Sequence, residues 1–264
     1  MNELLQREAG VHGQHWQTVH GGYFSDPAIA APIVQKALEL ARRSHARRIV
    51  DLGGGTGFLL SQLQRSGLDP RLPLVVVDES EAQTEIARAS GFLCVQKGIE
   101  KFLRQELGDN GPCLWMMRSV LHYFGEDGLR PALRHLRRQI LPGEFFIHQT
   151  ASFEHPQDAD CLNTLYRLMG SPKWYPTVTT LRQILEEEGW EVLEVLPAPP
   201  LPLTSGDLSE RYHIAPEIIR HIHDRLGGQE PTRAEVFEKT PDGFCAYLHY
   251  SLYVCRAKHP ASQG

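Results

Sequence analysis

Asp51-Leu52-Gly53-Gly54-Gly55-Thr56-Gly57 places four glycines within five positions, directly after the apolar pair Ile49-Val50. Glycine at that density is required where backbone takes positive φ or a ligand approaches closer than a Cβ allows. The N–H groups of such a turn, with a helix N-terminus behind it, favour an anionic group, either carboxylate or phosphate. About 20 residues further on, Asp78 closes the apolar run Leu74 to Val77, where a carboxylate can accept both hydroxyls of a ribose. Taken alone, Asp78 reads equally well as a cap for the next helix. Turn and carboxylate together point to a ribose-bearing cofactor.

Two other cofactor classes use similar parts. A P-loop needs G-x-x-x-x-G-K-[S/T], and neither the lysine nor the closing hydroxyl is in place. A dinucleotide site needs G-x-G-x-x-G, whereas Gly53, Gly55 and Gly57 are spaced G-x-G-x-G. A nicotinamide-dependent oxidoreductase is therefore the poorer fit and stands as the alternative reading. A non-catalytic cofactor-binding module is the other.

Proton acceptors come next, because an acidic acceptor hydroxyl or ammonium needs a base. His122, His148, His155 and Tyr123 are the candidates. His122 and His148 follow apolar runs that read as strands, so both are expected at the carboxyl ends of a parallel sheet, where ligands bind. Each also has a structural reading, as a loop-orienting or strand-end histidine. His12, His15, Trp16 and His20 lack the spacing and carboxylates of a metal site, and no metal is expected. His221 and His223, two apart on a helix, point to different faces.

The elements that must hold these residues alternate apolar runs with amphipathic stretches, the mark of βαβ units. Strands are expected at Ile49 to Leu52, Leu74 to Val77, Phe92 to Val95, Leu114 to Met117, Phe145 to Ile147, Val192 to Leu196 and Phe244 to Val254. Helices are expected from about Pro27, from Gly57, after Asp78, over Ile99 to Leu107, around Leu181 to Leu185, and after Pro216. Leu129, Leu133, Leu136 and Ile140 recur at helical steps and form one clean face. Residues 151–175 show no pattern. Pro197-Ala198-Pro199-Pro200-Leu201-Pro202 is excluded from a central strand or helix interior, because proline lacks the N–H, and reads as a linker or lid. Trp174, Tyr175 and Tyr212, in or near the lid segments, suit an aromatic or apolar acceptor, or equally pack the lid down.

Composition narrows the partners. The chain has 264 residues, a formal net charge of −5 and five widely spaced cysteines with no C-x-x-C pair. No basic field for nucleic acid is present, no apolar run reaches the ~20 residues of a membrane helix, and the cysteines fit a reducing cytoplasm. A small-molecule partner is expected, with no nucleic acid and no membrane. Homodimer assembly is left open.

The turn Asp51 to Gly57 resembles the D/E-x-G-x-G-x-G signature of class I S-adenosylmethionine-dependent methyltransferases. Val76-Val77-Asp78-Glu79-Ser80 with Ala87, Ser119-Val120-Leu121-His122-Tyr123-Phe124 and Leu141-Pro142-Gly143 resemble that family's later landmarks in the same order. The resemblance implies an α/β, Rossmann-like fold. Its seven-stranded, mostly parallel sheet would have the order 3-2-1-4-5-7-6 and strand 7 antiparallel. A helical N-terminal appendage or cap (1–44) would precede a methyltransferase domain (45–258) with a cofactor half (45–150) and an acceptor half carrying lid segments (151–243); 259–264 would be a frayed tail. It implies S-adenosyl-L-methionine as cofactor and O- or N-methylation of a small molecule by in-line displacement. Cofactor contacts are expected from Tyr23, Asp51, Gly53, Gly54, Gly55, Asp78, Glu79, Gly98, Ile99 and Arg118. Three positions depart from the family pattern: Ile99 where Asp is frequent, Glu144 in place of glycine, and His148 where an acid is frequent.

Overall fold

The computed structural model describes residues 19–108, 111–171, 173–227 and 235–259. His12, His15, Trp16, Pro172 and residues 260–264 lie outside them. Five short runs, rich in β-branched and apolar residues, form the parallel part of the sheet: β1 (Arg48–Leu52), β2 (Leu74–Asp78), β3 (Leu93–Gln96), β4 (Cys113–Arg118) and β5 (Phe145–Ala151). They lie in the order β3-β2-β1-β4-β5, followed by β8 (Gly243–Ala257) and then β6 (Trp190–Thr204) at the edge. β8 is antiparallel to both neighbours. The expected order is thus found, with β8 as its antiparallel seventh strand.

An eighth strand was not foreseen. β7 (Phe237–Thr240) pairs with Gly243 to Ala246 of β8, the end that β5 leaves free because it stops at the Ala151↔Tyr250 pair. The proline-rich stretch is also not a free linker. β6 continues through it to Thr204, with register breaks between Val192 and Glu194 and between Ala198 and Leu201. An edge strand tolerates prolines because an N–H turned away from the sheet has no partner to lose.

The helices are α1 (Pro27–Ser44), α2 (Phe58–Arg65), α3 (Glu81–Ala89), α4 (Gly125–Gln139), α5 (Pro156–Leu168), α6 (Val178–Glu187), α7 (Ser205–Tyr212) and α8 (Pro216–Leu226). Asp26 starts α1: its carboxylate accepts from Ala28 N at 2.7 Å, and Pro27 needs no donor partner in the first turn. Alternation along each strand sends side chains to opposite faces. Ile49, Val76, Leu114 and Met116 meet Ile33, Ala37 and Leu40 of α1 on one face, so the N-terminal helix is built into the sheet rather than appended to it. Val50, Val75, Trp115 and Met117 meet Leu129, Leu133 and Leu136 of α4 and Leu181 and Leu185 of α6 on the other. Each fully buried leucine contributes roughly 1.5–3 kcal/mol. A third core, beyond the carboxyl ends of the parallel strands, joins α5, α7, α8 and the long ends of β6 and β8 around Tyr23, Tyr166, Tyr175, Tyr212 and Tyr250.

One helix expectation is corrected and one helix is new. Over Ile99 to Leu107 the chain makes a turn and then a 3-10 segment, Arg104–Leu107, because Leu103 is extended (φ −122°) and too few residues remain to nucleate an α-helix. In the patternless stretch 151–175 lies α5, which buries Ala159, Cys161, Leu162, Leu165 and Tyr166.

Candidate functional site

The glycine turn leaves β1 with Gly53, Gly55 and Gly57 at φ of 68°, 54° and 78°. A Cβ on Gly53 would lie 2.6 Å from Val120 Cγ2, and one on Gly54 2.8 Å from the Asp51 carboxylate. The turn is therefore closed to side chains on both sides. Asp78 staples it: one carboxylate oxygen accepts from Gly55 N and the other from Ser80 N, each at 2.9 Å. The cap of α3 is Ser80, whose hydroxyl accepts from Gln83 N, so Asp78 is not spent as a helix cap. Each carboxylate oxygen keeps a further lone pair for a ligand hydroxyl.

Turn, Asp78 and the ends of β3 and β4 enclose a cleft of about 990 Å³, its open mouth included. Of the residues expected to hold a cofactor, Asp51, Gly53, Gly54, Gly55, Asp78, Glu79, Gly98, Ile99 and Arg118 all line it. Ser119 and Val120, from the landmark-like segment Ser119 to Phe124, line it too, as do Phe58, Gln83, Lys97 and Glu100, which were not singled out from the sequence. They had no signal of their own, because their place depends on how three separate loops converge. Tyr123, a candidate base, and its neighbour Phe124 complete the wall.

Two ionisable groups at this cleft have little contact with water, Asp51 being buried and Arg118 half-buried with its Nη1 enclosed. Asp51 is 1 % exposed, and among the described residues neither of its carboxylate oxygens accepts a hydrogen bond. Burial pushes its carboxyl up to about 7; Arg118 pulls the other way and Asp78 adds to the rise. Burial likewise lowers the Arg118 guanidinium, against the pull of Asp51. Arg118 Nη2 donates to the Phe24 carbonyl, and the guanidinium lies 5.4 Å from the ring centroids of both Phe24 and Phe58. Its Nη1, also buried, has no hydrogen-bond partner among the described residues. Buried polar atoms left unmatched cost about 1–3 kcal/mol each, more when charged. A carboxylate and a guanidinium in this condition are suited to an α-ammonium and an α-carboxylate arriving together. Ser119 beside them holds a positive φ of 61°, unusual for a residue with a Cβ, and shares a 2.6 Å hydrogen bond with Tyr250.

The remaining candidates lie elsewhere. His148 does not emerge at a strand end, because β5 extends to Ala151 instead of stopping at Ile147. Its ring is fully buried between Phe146 and Tyr253, at 4.8 Å from each, with Nδ1 2.7 Å from the Thr150 hydroxyl. Burial depresses it to about 3. It is a neutral core residue and does not line the cleft. His122 is buried behind the cleft wall, 4.1 Å from the Tyr123 ring and 5.4 Å from that of Tyr175. His155 is exposed at the start of α5. Tyr23 does not line the cleft either: its hydroxyl donates to Pro199 O at 2.5 Å and accepts from Gln149 Nε2 at 3.3 Å, and its ring stacks on Tyr250. The N-terminal segment touches the site through Phe24. Tyr175 and Tyr212 are packed into the third core, as one of the two readings of the lid aromatics had it.

The fold is a Rossmann-like sheet with a glycine turn after β1 and a carboxylate at the end of β2. The sequence profile of the methyltransferase-domain family matches residues 26–195. The chain belongs to that family, which sets aside the oxidoreductase reading. A comparison with curated protein sequences finds no match. Among solved structures, the YcgJ protein of Bacillus subtilis superposes with a TM-score of 0.65 at 14% identity, covering 89% of this chain and 100% of its own. A putative methyltransferase of Bacillus halodurans C-125 gives the same TM-score of 0.65 at 14% identity, over 85% and 100%. The 1,6-didemethyltoxoflavin-N1-methyltransferase of Burkholderia thailandensis, solved with 1,6-didemethyltoxoflavin and S-adenosylhomocysteine, gives 0.55 at 13% identity, over 97% and 88%. At these identities the likeness is one of fold.

Proposed function

We propose that the protein is an S-adenosylmethionine-dependent methyltransferase of small molecules. The observation that carries the reading is the pairing, at one cleft, of the buried Asp51 carboxyl and the Arg118 Nη1, neither with a hydrogen-bond partner among the described residues, with the Asp78-stapled glycine turn. Asp51 would take the cofactor's ammonium, Arg118 its carboxylate, Asp78 the ribose, and Gly98 and Ile99 the adenine. The cofactor supplies an activated methyl group for in-line displacement. Gly53 and Gly54 let the backbone close on it, and Phe58, Val120 and Phe124 keep water out. Holding two reactants in line can supply about 7–11 kcal/mol of the barrier.

Among the described residues no histidine lines this cleft, so catalysis is assigned to positioning. His122, tilted against Tyr123 and stacked on Tyr175, is a positioning residue that fixes the Tyr123 ring at the cleft wall. His148 is assigned to the core. The toxoflavin N1-methyltransferase, with its small-molecule acceptor bound, supports a small-molecule acceptor here by analogy of fold. Free thiols at all five cysteines suit a cytoplasmic setting.

Calorimetry with S-adenosylhomocysteine and with NAD tests the cofactor. S-adenosylhomocysteine should bind and NAD should not; the reverse result overturns the proposal. Methyl transfer from labelled S-adenosylmethionine to a panel of phenols, amines and carboxylic acids tests the activity. Cofactor binding without turnover on any of them would favour a non-catalytic module.

A further inference from the structure

Beside the cofactor cleft lies a second one, of about 740 Å³ with its open mouth included, and Phe124 lines both. Its chemistry is set by Lys173. This lysine is 6 % exposed, unusual for its type, and it is one of the residues that line the second cleft. Its Nζ donates to the Tyr212 hydroxyl at 2.6 Å and lies 4.7, 5.5 and 5.1 Å from the ring centroids of Tyr123, Tyr166 and Tyr212. Ring faces attract a cation, and more strongly once water is removed, so the three tyrosines hold the ammonium in one place.

The other charges of this cleft, Arg167, Glu126 and Asp127, are exposed. Water and salt screen exposed charges, whereas a buried one acts through a low dielectric, so Lys173 decides which ligand charge is accepted. Phe124 and Trp174, both half-buried, supply flat apolar walls. Tyr123 lines the cofactor cleft, and its ring centroid lies 4.7 Å from the Lys173 ammonium, so Lys173 sits close to both clefts.

We infer that Lys173 is a specificity residue for the acceptor: the second cleft takes a planar molecule carrying one anionic group, which pairs with the ammonium. The inference rests on the reading of the chain as a small-molecule methyltransferase. A charge-assisted contact exceeds a neutral one by enough to give a preference of about ten-fold.

Sodium benzoate and its neutral isostere benzamide are the probes, titrated calorimetrically into the protein with and without saturating S-adenosylhomocysteine. Benzoate should bind about ten-fold tighter than benzamide. Lys173→Met should erase the preference, Lys173→Arg should restore it, and Arg167→Gln should leave it within about two-fold because its charge is screened. S-adenosylhomocysteine affinity should stay within about two-fold in all three variants. Equal binding of the two probes to the natural protein overturns the inference without requiring any variant to fold, as does the absence of benzoate binding at about 10 mM. So does a preference that survives in Lys173→Met. If S-adenosylhomocysteine itself does not bind, the cofactor reading fails, and the titrations without it still decide the role of Lys173.

Discussion

Asp51 offers the sharpest test, because its environment fixes both the sign and the size of an effect. Burial holds its carboxyl near 7 in place of 3.8, a rise of about three units, and each unit is worth about 1.4 kcal/mol. Ionising it inside the fold therefore costs on the order of 4 kcal/mol. Between roughly pH 4 and 7 the folded chain keeps a proton that the unfolded chain has released. This group thus makes stability fall as pH rises through that window, and its effect is flat above it. His148 acts in the opposite sense: held at about 3 instead of 6.5, it removes stability as pH falls through that range. The two slopes overlap, so the natural protein's pH profile hides both. Asp51→Asn separates them. Urea denaturation from pH 4 to 8 should show the variant gaining about 4 kcal/mol relative to the natural protein as pH rises, with most of the change complete by pH 7. A ligand ammonium placed against Asp51 needs the carboxylate, so S-adenosylhomocysteine binding near pH 6 should release up to about one proton in the natural protein and none from this site in the variant. Calorimetry in two buffers of different ionisation enthalpy measures that release. Parallel stability profiles, constant in their difference to about 1 kcal/mol, would refute the argument, since they require Asp51 to be ionised throughout.

Other outcomes follow from individual contacts. Gly54→Ala puts a Cβ 2.8 Å from the Asp51 carboxylate and should weaken S-adenosylhomocysteine binding by about ten-fold or more, measured by calorimetry. Glu144 accepts from both Arg104 Nη atoms, Cys113 N, Trp115 Nε1 and Leu141 N, so Glu144→Ala should cost about 3–5 kcal/mol in urea denaturation. His148→Ala should cost about 2–4 kcal/mol through the cavity it opens between Phe146 and Tyr253. It should still leave S-adenosylhomocysteine affinity within about two-fold; a larger loss of affinity would place His148 in the site after all.

The wall of the cleft proposed to hold the cofactor was legible because it is local. A glycine-dense turn, a carboxylate after the next strand and a glycine after the third each sit at the end of one apolar run. Short parallel strands deliver those ends to one edge of the sheet. The acceptor side was not legible in the same way. α5 escaped because its buried residues are interrupted by Asp158, Asp160 and Asn163, and the polar Asp158 is itself buried. His148 was placed at the cleft because a strand's end cannot be read to better than a few residues, and three more residues of β5 bury it.

The order of elements, the glycine turn and the helix faces of α1 and α4 were determined by the sequence itself, since each depends on residues no more than a helical turn apart. Tertiary structure decided the rest. It pressed β6 through its prolines at the sheet edge and filled the free side of β8 with β7. It also gathered Asp51, Arg118 and Phe24 around one buried pair of charges, and Lys173 among tyrosines from three segments. Those residues are far apart in the chain. No pattern of spacing encodes their meeting, because what joins them is the burial of surfaces that exist only once the sheet and its helices have packed.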